Sequence, residues 1–241
     1  MRNIHGPSAQ EAAVTDLGQR TVALKRQQPS LSRGAFYQSF GKRSLDVLFS
    51  ALGLALFSPL LLLIAVAIKT TSAGPVLFRQ LRVGRGGKLF LICKFRTMVQ
   101  GAGLMGPGFT RANDPRVTPI GHRLRKWKLD ELPQLWNVFR GEMSCVGPRP
   151  ELPLYVDLYT TEQKQVLTVR PGITDPASLR YRNEGQLLQD SSDAERLYRE
   201  HILPDKLSLN LQYMREISVV RDVFLILSTL QSVFRTTVSE R

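Results

Sequence analysis

The chain has 241 residues, enough for one well-cored domain with an appendage, and carries a formal net charge of +13. So basic a chain needs an anionic partner: nucleic acid, a phospholipid surface or phosphorylated substrates. Few aromatics and no Lys/Arg run at groove-reading spacing argue against nucleic acid, and Cys93 and Cys145, with no CxxC pair and no His cluster, argue against a zinc site or disulfide framework.

Residues 1–40 are mixed and polar, contain Gly6-Pro7 and Pro29-Ser30, and lack the apolar core of a signal peptide. They read as a largely disordered leader, residues 1–41, with a short helix around Glu11–Gln27. From Val47 to Ile68 there follow 22 residues without a formal charge. As a straight helix these would measure about 33 Å, enough to cross the hydrocarbon core of a bilayer. Pro59 lies near the middle, where it removes a backbone donor and kinks or breaks a helix. Each arm then reaches roughly 15–18 Å, about halfway across. Both flanks are basic: Lys42 and Arg43 before the segment, Lys69, Arg79, Arg82, Arg85 and Lys88 after it. The positive-inside rule therefore places both ends on one side, so residues 42–70 read as a re-entrant membrane helix broken at Ser58-Pro59, ahead of a single span or a soluble core helix. Ser58 is placed to cap a backbone group that the proline frees.

"GPVLFRQLRVGRGGKLFLICKFRTM" reads as two short strands, around Val76-Leu77-Phe78 and Leu89–Ile92, joined at Arg85-Gly86-Gly87. Residues 99–114, rich in glycine, read as a mobile loop. A helix opens near Thr118 and another near Asp130, the second with Leu132, Leu135, Trp136 and Phe139 on one face and Pro133 in its first turn. A helix from about Asp193 is expected to stop before Pro204, with another over Lys206–Arg215. The last, Val219–Phe234, carries Val223, Ile226, Leu227, Leu230 and Phe234 on one stripe, as a core helix or one lying on a membrane surface.

Lys94, Arg96, Arg111, Arg116, Arg123, Arg125, Lys126 and Lys128 crowd a region whose nearest acids are Asp114, Asp130 and Glu131. Adjacent acids at a helix start have a simple explanation, since they complement the helix dipole. Cations in excess of acids also await an anion such as a diphosphate, and a carboxylate pair beside one suits Mg²⁺. "GPRPE" (147–151) presents Arg149 between two prolines that stiffen the backbone, and "RPGITDPASLRYRNE" (170–184) carries Arg170, Arg180 and Arg182. Histidines 5, 122 and 201 share no motif.

Five ordered motifs, "KRSLD", the apolar segment with Ser58-Pro59, "GPVLFRQLRVGRGGKLFLICKFRTM", "LDELPQLWNVFRGEMSCVGPRPE" and "RPGIT", resemble the bacterial sugar transferases, the monotopic phosphoglycosyl transferases. The resemblance runs from about Lys42 to Phe234. It implies an α+β fold, mostly helical and membrane-associated, with a kinked re-entrant helix, a small β-hairpin and interfacial amphipathic helices. The catalytic domain would be residues 71–235, on the cytoplasmic face of the bacterial inner membrane, followed by a tail, 236–241.

The implied reaction moves a sugar-1-phosphate from a nucleotide diphosphate sugar, usually a UDP-sugar, to a polyprenyl phosphate such as undecaprenyl phosphate. Asp130 would be the nucleophile, forming a covalent phosphosugar intermediate, with Glu131 as its partner in Mg²⁺ binding or proton handling. Lys94, Arg149 and Arg182 fall at family motif positions; with Arg96 and Arg125 they are the candidate phosphate and substrate contacts. Membrane lipid is an expected partner, nucleic acid is not, and a homo-oligomer is left open. The chain departs from the family pattern after "PGIT", where Asp175-Pro176-Ala177-Ser178 stands in place of Gly-Trp-Ala-Gln and Tyr181 precedes Arg182. This leaves the sugar unspecified. The alternative to an enzyme is a non-catalytic membrane adaptor on the same scaffold.

Overall fold

In the computed structural model, residues 41–102 and 114–239 are described, with Tyr37, Met105 and Thr110, and side chains as far as Phe234. The expected leader helix around Glu11–Gln27 and most of the expected mobile loop lie outside these residues. Helix α1 (Lys42–Thr71) contains the whole apolar run. It is helical throughout with Pro59 inside it, so the hydrogen-bonded helix is not interrupted at Ser58-Pro59. The reason is local. Pro59 has no N–H for the carbonyl of Ala55 four residues back, and the Ser58 hydroxyl donates to that carbonyl instead, at 2.8 Å.

Both ends of α1 are tied to the rest of the chain. At the start, Lys42 pairs with Asp222, which also accepts from the hydroxyls of Tyr37 (2.7 Å) and Tyr213 (2.6 Å). Arg43 donates to the carbonyls of Val138 (2.6 Å) and Phe139 (2.9 Å). Asp46, buried, accepts from Ser144 Oγ (3.0 Å) and the Cys145 amide (2.8 Å). At the far end Arg96 donates to the carbonyls of Ala73 (2.5 Å) and Ser72 (2.8 Å), and Ile64 and Ile68 pack on Phe95 and Leu124. The outer side of α1 is bare: Leu52, Leu56, Leu62 and Leu63 are 58–74% exposed. One helix long and apolar enough to cross a membrane is thus held along the surface of the domain.

Strands β1 (Leu77–Val83) and β2 (Leu89–Phe95) pair antiparallel, Leu81 opposite Leu91, across the expected glycine turn. Helix α2 (Pro119–Lys126) starts at Thr118, whose hydroxyl accepts the Gly121 amide at 3.1 Å. A 3₁₀ turn (Leu129–Glu131) leads to α3 (Gln134–Arg140). Here the expected apolar face is reversed. Gln134, Asn137 and Val138 are buried, while Trp136 and Phe139 stack in the open, ring centres 5.8 Å apart. The reversal follows from what α3 touches: Asn137 accepts the Cys93 amide (2.9 Å) and donates to the Leu91 carbonyl (2.8 Å), completing the free edge of β2. Leu135 instead packs on α1, where a methyl at Gly53 would stand 3.0 Å from it.

Strands β3 (Ser144–Val146) and β4 (Gly172–Thr174) pair in parallel and join the "GPRPE" and "RPGIT" segments. Glycine is required at the crossing, since a Cβ on Gly172 would lie 2.1 Å from the Gly147 nitrogen. Helix α4 (Pro176–Arg180) is capped by fully buried Asp175, which accepts from Ser178 N at 2.9 Å. The helix expected to stop before Pro204 does not stop. It runs from Ala194 through a π-helical turn (Tyr198–Ile202) into α5 (Leu203–Arg215), placing Pro204 in the first turn of α5, where its missing donor is harmless. The main apolar core lies here, where Leu188, Tyr198, Ile202 and Leu207 meet Tyr155 and Val166. Helix α6 (Val219–Ser239) buries Asp222 and Leu225 and exposes Val223, Phe224, Leu227, Leu230 and Phe234, so it is not a core helix.

Candidate functional site

A cavity of about 1300 Å³ opens between β1, the end of β2 and the 3₁₀ turn, and is lined by Asp130 and Glu131. The turn is set by α2 and α3 on either side; β2 brings Lys94 and Arg96, and the rigid Pro-Arg-Pro segment beside β3 brings Arg149. Lys94, Arg96, Arg125, Arg149, Asp130 and Glu131, expected together from sequence, therefore share one space. Arg182 does not line it; it follows α4 at Tyr181, whose hydroxyl is bound to Asp205 at 2.7 Å.

The two acids differ sharply. Glu131 receives Lys94 Nζ at 2.7 Å and both terminal nitrogens of Arg149, one at 3.4 Å. Burial opposes its charge, but Arg149 and Lys94 outweigh burial and hold the carboxyl well below the usual glutamate range. Asp130 is also buried, yet its Oδ1 has no hydrogen-bond partner among the described residues. Burial, and then the charge of Glu131, push its carboxyl above the usual aspartate range, against the pull of Lys94, Lys128 and Arg125. Burial brings Lys94 down to about 8, and the charge of Glu131 raises Arg149. Glu131 is thus a structural anion between two cations, and Asp130 a carboxylate with a free oxygen.

The cations divide by what already occupies them. Arg96 spends its guanidinium on the end of α1, so it clamps the helix rather than waiting for a phosphate. Among the described residues Arg125 gives only its Nε, to Thr97 Oγ1 at 2.8 Å. Two further arginines line the cavity, Arg116 from the basic cluster read in the sequence and Arg82, which the sequence marks only as a flank of the apolar segment. Arg116 lines the cavity paired with Asp114 at 2.6 Å. Arg82 lines it while donating to Glu151 (3.1 Å) and Gln80 (2.8 Å), and Tyr198 of the π-helical turn holds Glu151 at 2.6 Å. The period-two alternation Phe78, Gln80, Arg82 along β1 was the available signal for Arg82. Arg79 and Lys128 complete the cationic lining.

The two acids differ in what they offer a divalent cation. Among the described residues no three His, Cys, Asp or Glu groups converge, so a cage made by the protein alone is not present. The free Asp130 oxygen suits Mg²⁺ shared with substrate phosphates, which needs only one or two carboxylates. Glu131 does not suit it, because its oxygens are taken by Lys94 and Arg149.

Residues 37–236 match the family described as bacterial sugar transferase. The chain is 42% identical over 200 residues to a UDP-glucose:undecaprenyl-phosphate glucose-1-phosphate transferase of Caulobacter vibrioides, covering 81% of this chain and 70% of that one. It is 37% identical over 198 residues to a UDP-N-acetylgalactosamine-undecaprenyl-phosphate N-acetylgalactosaminephosphotransferase of Aeromonas hydrophila, again 81% of this chain but only 44% of the relative. A third relative, the exopolysaccharide production protein ExoY of Rhizobium meliloti, is 37% identical over 207 residues, 80% of this chain and 84% of its own. Motifs, fold and these similarities agree: the chain belongs to the bacterial sugar transferase family.

Proposed function

We propose that this chain is a phosphoglycosyl transferase that moves a sugar-1-phosphate from a UDP-sugar to undecaprenyl phosphate, with Asp130 as the nucleophile. The observation that carries the reading is the unpartnered Asp130 oxygen in a cavity lined by cations, beside a glutamate whose own charge is already neutralised. The names of the relatives supply the two substrates.

In the first step an Asp130 oxygen attacks the phosphorus that bears the sugar. The new O–P bond forms as the bridging P–O bond to UMP breaks, and UMP leaves with that electron pair. In the second, a phosphate oxygen of undecaprenyl phosphate attacks the same phosphorus and Asp130 is released. Two displacements let one site serve a water-soluble donor and a lipid acceptor in turn. The cations offset the charge that accumulates as each bond breaks. Mg²⁺, when bound through Asp130 and the phosphates, would add Lewis-acid neutralisation of the diphosphate.

The acceptor lies in a membrane, and α1 supports a monotopic arrangement. The same domain holds Lys42, Arg43 and Asp46 at one end of α1 and Ser72 and Ala73 at the other. A helix so held enters a bilayer with both ends on one side, its bare leucine face in the lipid, and the cavity stays at the cytoplasmic interface. The test is UMP release from a panel of UDP-sugars with undecaprenyl phosphate and Mg²⁺. Release that requires Asp130 supports the reading, and no release with any donor favours the adaptor.

A further inference from the structure

The residue two before Asp130 is held in a strained backbone conformation. Lys128 caps the 3₁₀ turn with φ 55° and ψ 18°, and it is the only non-glycine residue with positive φ among the described residues. That left-handed region is disfavoured for any side chain with a Cβ, and glycine or asparagine would relieve it. Such strain persists where the surroundings require it, often at a working site.

A second observation concerns where the side chain goes. Lys128 is exposed and lines the same cavity as Asp130. The cations bound to Glu131, Glu151, Asp114 and the end of α1 cannot turn to a substrate without breaking those bonds. The Lys128 ammonium has no hydrogen bond or close ion pair to any described residue, its backbone alone bonding to Arg125 and Glu131, yet it lies near enough to act on both Asp130 and Glu131. It therefore offers an unspent ammonium on the turn that carries the nucleophile.

We propose that Lys128 is a substrate-binding residue whose ammonium holds a non-bridging oxygen of the phosphoryl group that Asp130 attacks. This rests on the reading of Asp130 given above. Because Lys128 and Asp130 share one turn, the cation keeps its place relative to the nucleophile when the turn shifts. A compact ammonium on a flexible stem also suits a phosphorus whose oxygens move during displacement.

UDP and UMP differ by the phosphate that stands where the attacked phosphoryl group would lie, so they separate this contact from general damage. Binding of each is titrated to the full-length protein in detergent with Mg²⁺, for the wild type and Lys128→Asn, Lys128→Gly and Lys128→Arg. The proposal expects the Asn and Gly variants to lose about tenfold in UDP affinity, with UMP affinity changed less than about twofold. It expects Lys128→Arg to restore UDP binding, and the Asn and Gly variants to melt no lower than the wild type, since both relieve the strained φ. Wild-type binding of UDP with no change in the Asn and Gly variants overturns this proposal alone. Failure of the wild type to bind UDP overturns the donor reading and the proposal with it.

Discussion

Arg149, fixed between Pro148 and Pro150, donates through both terminal nitrogens to the carboxylate of Glu131, the residue that follows the proposed nucleophile. Lys94 meets the same carboxylate from β2. The pairing keeps Glu131 charged and fixed in place, so Asp130 alone of the two acids has an oxygen to give.

Removing Arg149 leaves Glu131 with one cation in place of two. Arg149→Ala should lower UMP release by more than about a hundredfold, because loss of one partner of a largely buried pair strands the other charge. Arg149→Lys should recover only part of this, as an ammonium cannot reproduce the two-nitrogen contact. Equal activity in the Lys variant and the wild type would show that charge alone matters.

The raised carboxyl of Asp130 predicts a stability gain on its removal. A group whose folded-state pKa lies above its unfolded value favours folding below the unfolded value, and that contribution is lost as pH rises through the folded one. At neutral pH the wild type therefore bears the cost of a buried, ionised carboxylate. Asp130→Asn should melt higher than the wild type at pH 7–8, with the difference shrinking toward pH 4. In the active protein the same shift places the acid limb of turnover above the ordinary aspartate range, since the protonated carboxyl cannot attack. A pH series of melting curves and initial rates reads both effects.

Ser58 and Pro59 act on one carbonyl. Ser58→Ala leaves the Ala55 carbonyl without a donor on the bare side of α1 and should cost about 1 kcal/mol. In Pro59→Ala the alanine amide can bond Ala55 directly, so adding Ser58→Ala to it should cost much less. Thermal melts of the four proteins form the cycle; additive losses would contradict the shared carbonyl.

Asp222 gathers Lys42, Tyr37 and Tyr213 at the start of α1. Asp222→Ala leaves a largely buried ammonium without its carboxylate, with only the Tyr213 hydroxyl at 3.3 Å to receive it, and should destabilise the protein by about 3 kcal/mol. Lys42→Met in that background should recover part of the loss. Chemical labelling of Gly41→Cys, with Cys93 and Cys145 replaced by alanine, should then show the end of α1 loosened in Asp222→Ala alone.

Much of this was readable in the residues, and the failures share a cause. The hairpin, the Thr118 cap and the meeting of Lys94, Arg125 and Arg149 with Asp130-Glu131 follow from local patterns and ordered motifs. The inward face of α3 did not, because Gln134 and Asn137 are buried for tertiary reasons that hydrophobic periodicity cannot register. Strands β3 and β4, three residues each, are too short to alternate visibly. Pro204 signalled a stop, yet the π-helical turn before it carries the helix on. Arg96 was counted as a phosphate contact on charge alone, and only its bonds to Ser72 and Ala73 show that it clamps α1.

Covalent capture of the phosphosugar by Asp130 is read out by intact-mass spectrometry. The wild type, mixed with Mg²⁺ and a UDP-sugar it turns over but no acceptor, should gain the mass of one sugar phosphate, mapped to the peptide holding Asp130. The adduct should vanish on adding undecaprenyl phosphate and never form in Asp130→Asn. Turnover by Asp130→Asn at the wild-type rate, or an adduct mapped to another residue, would contradict the account.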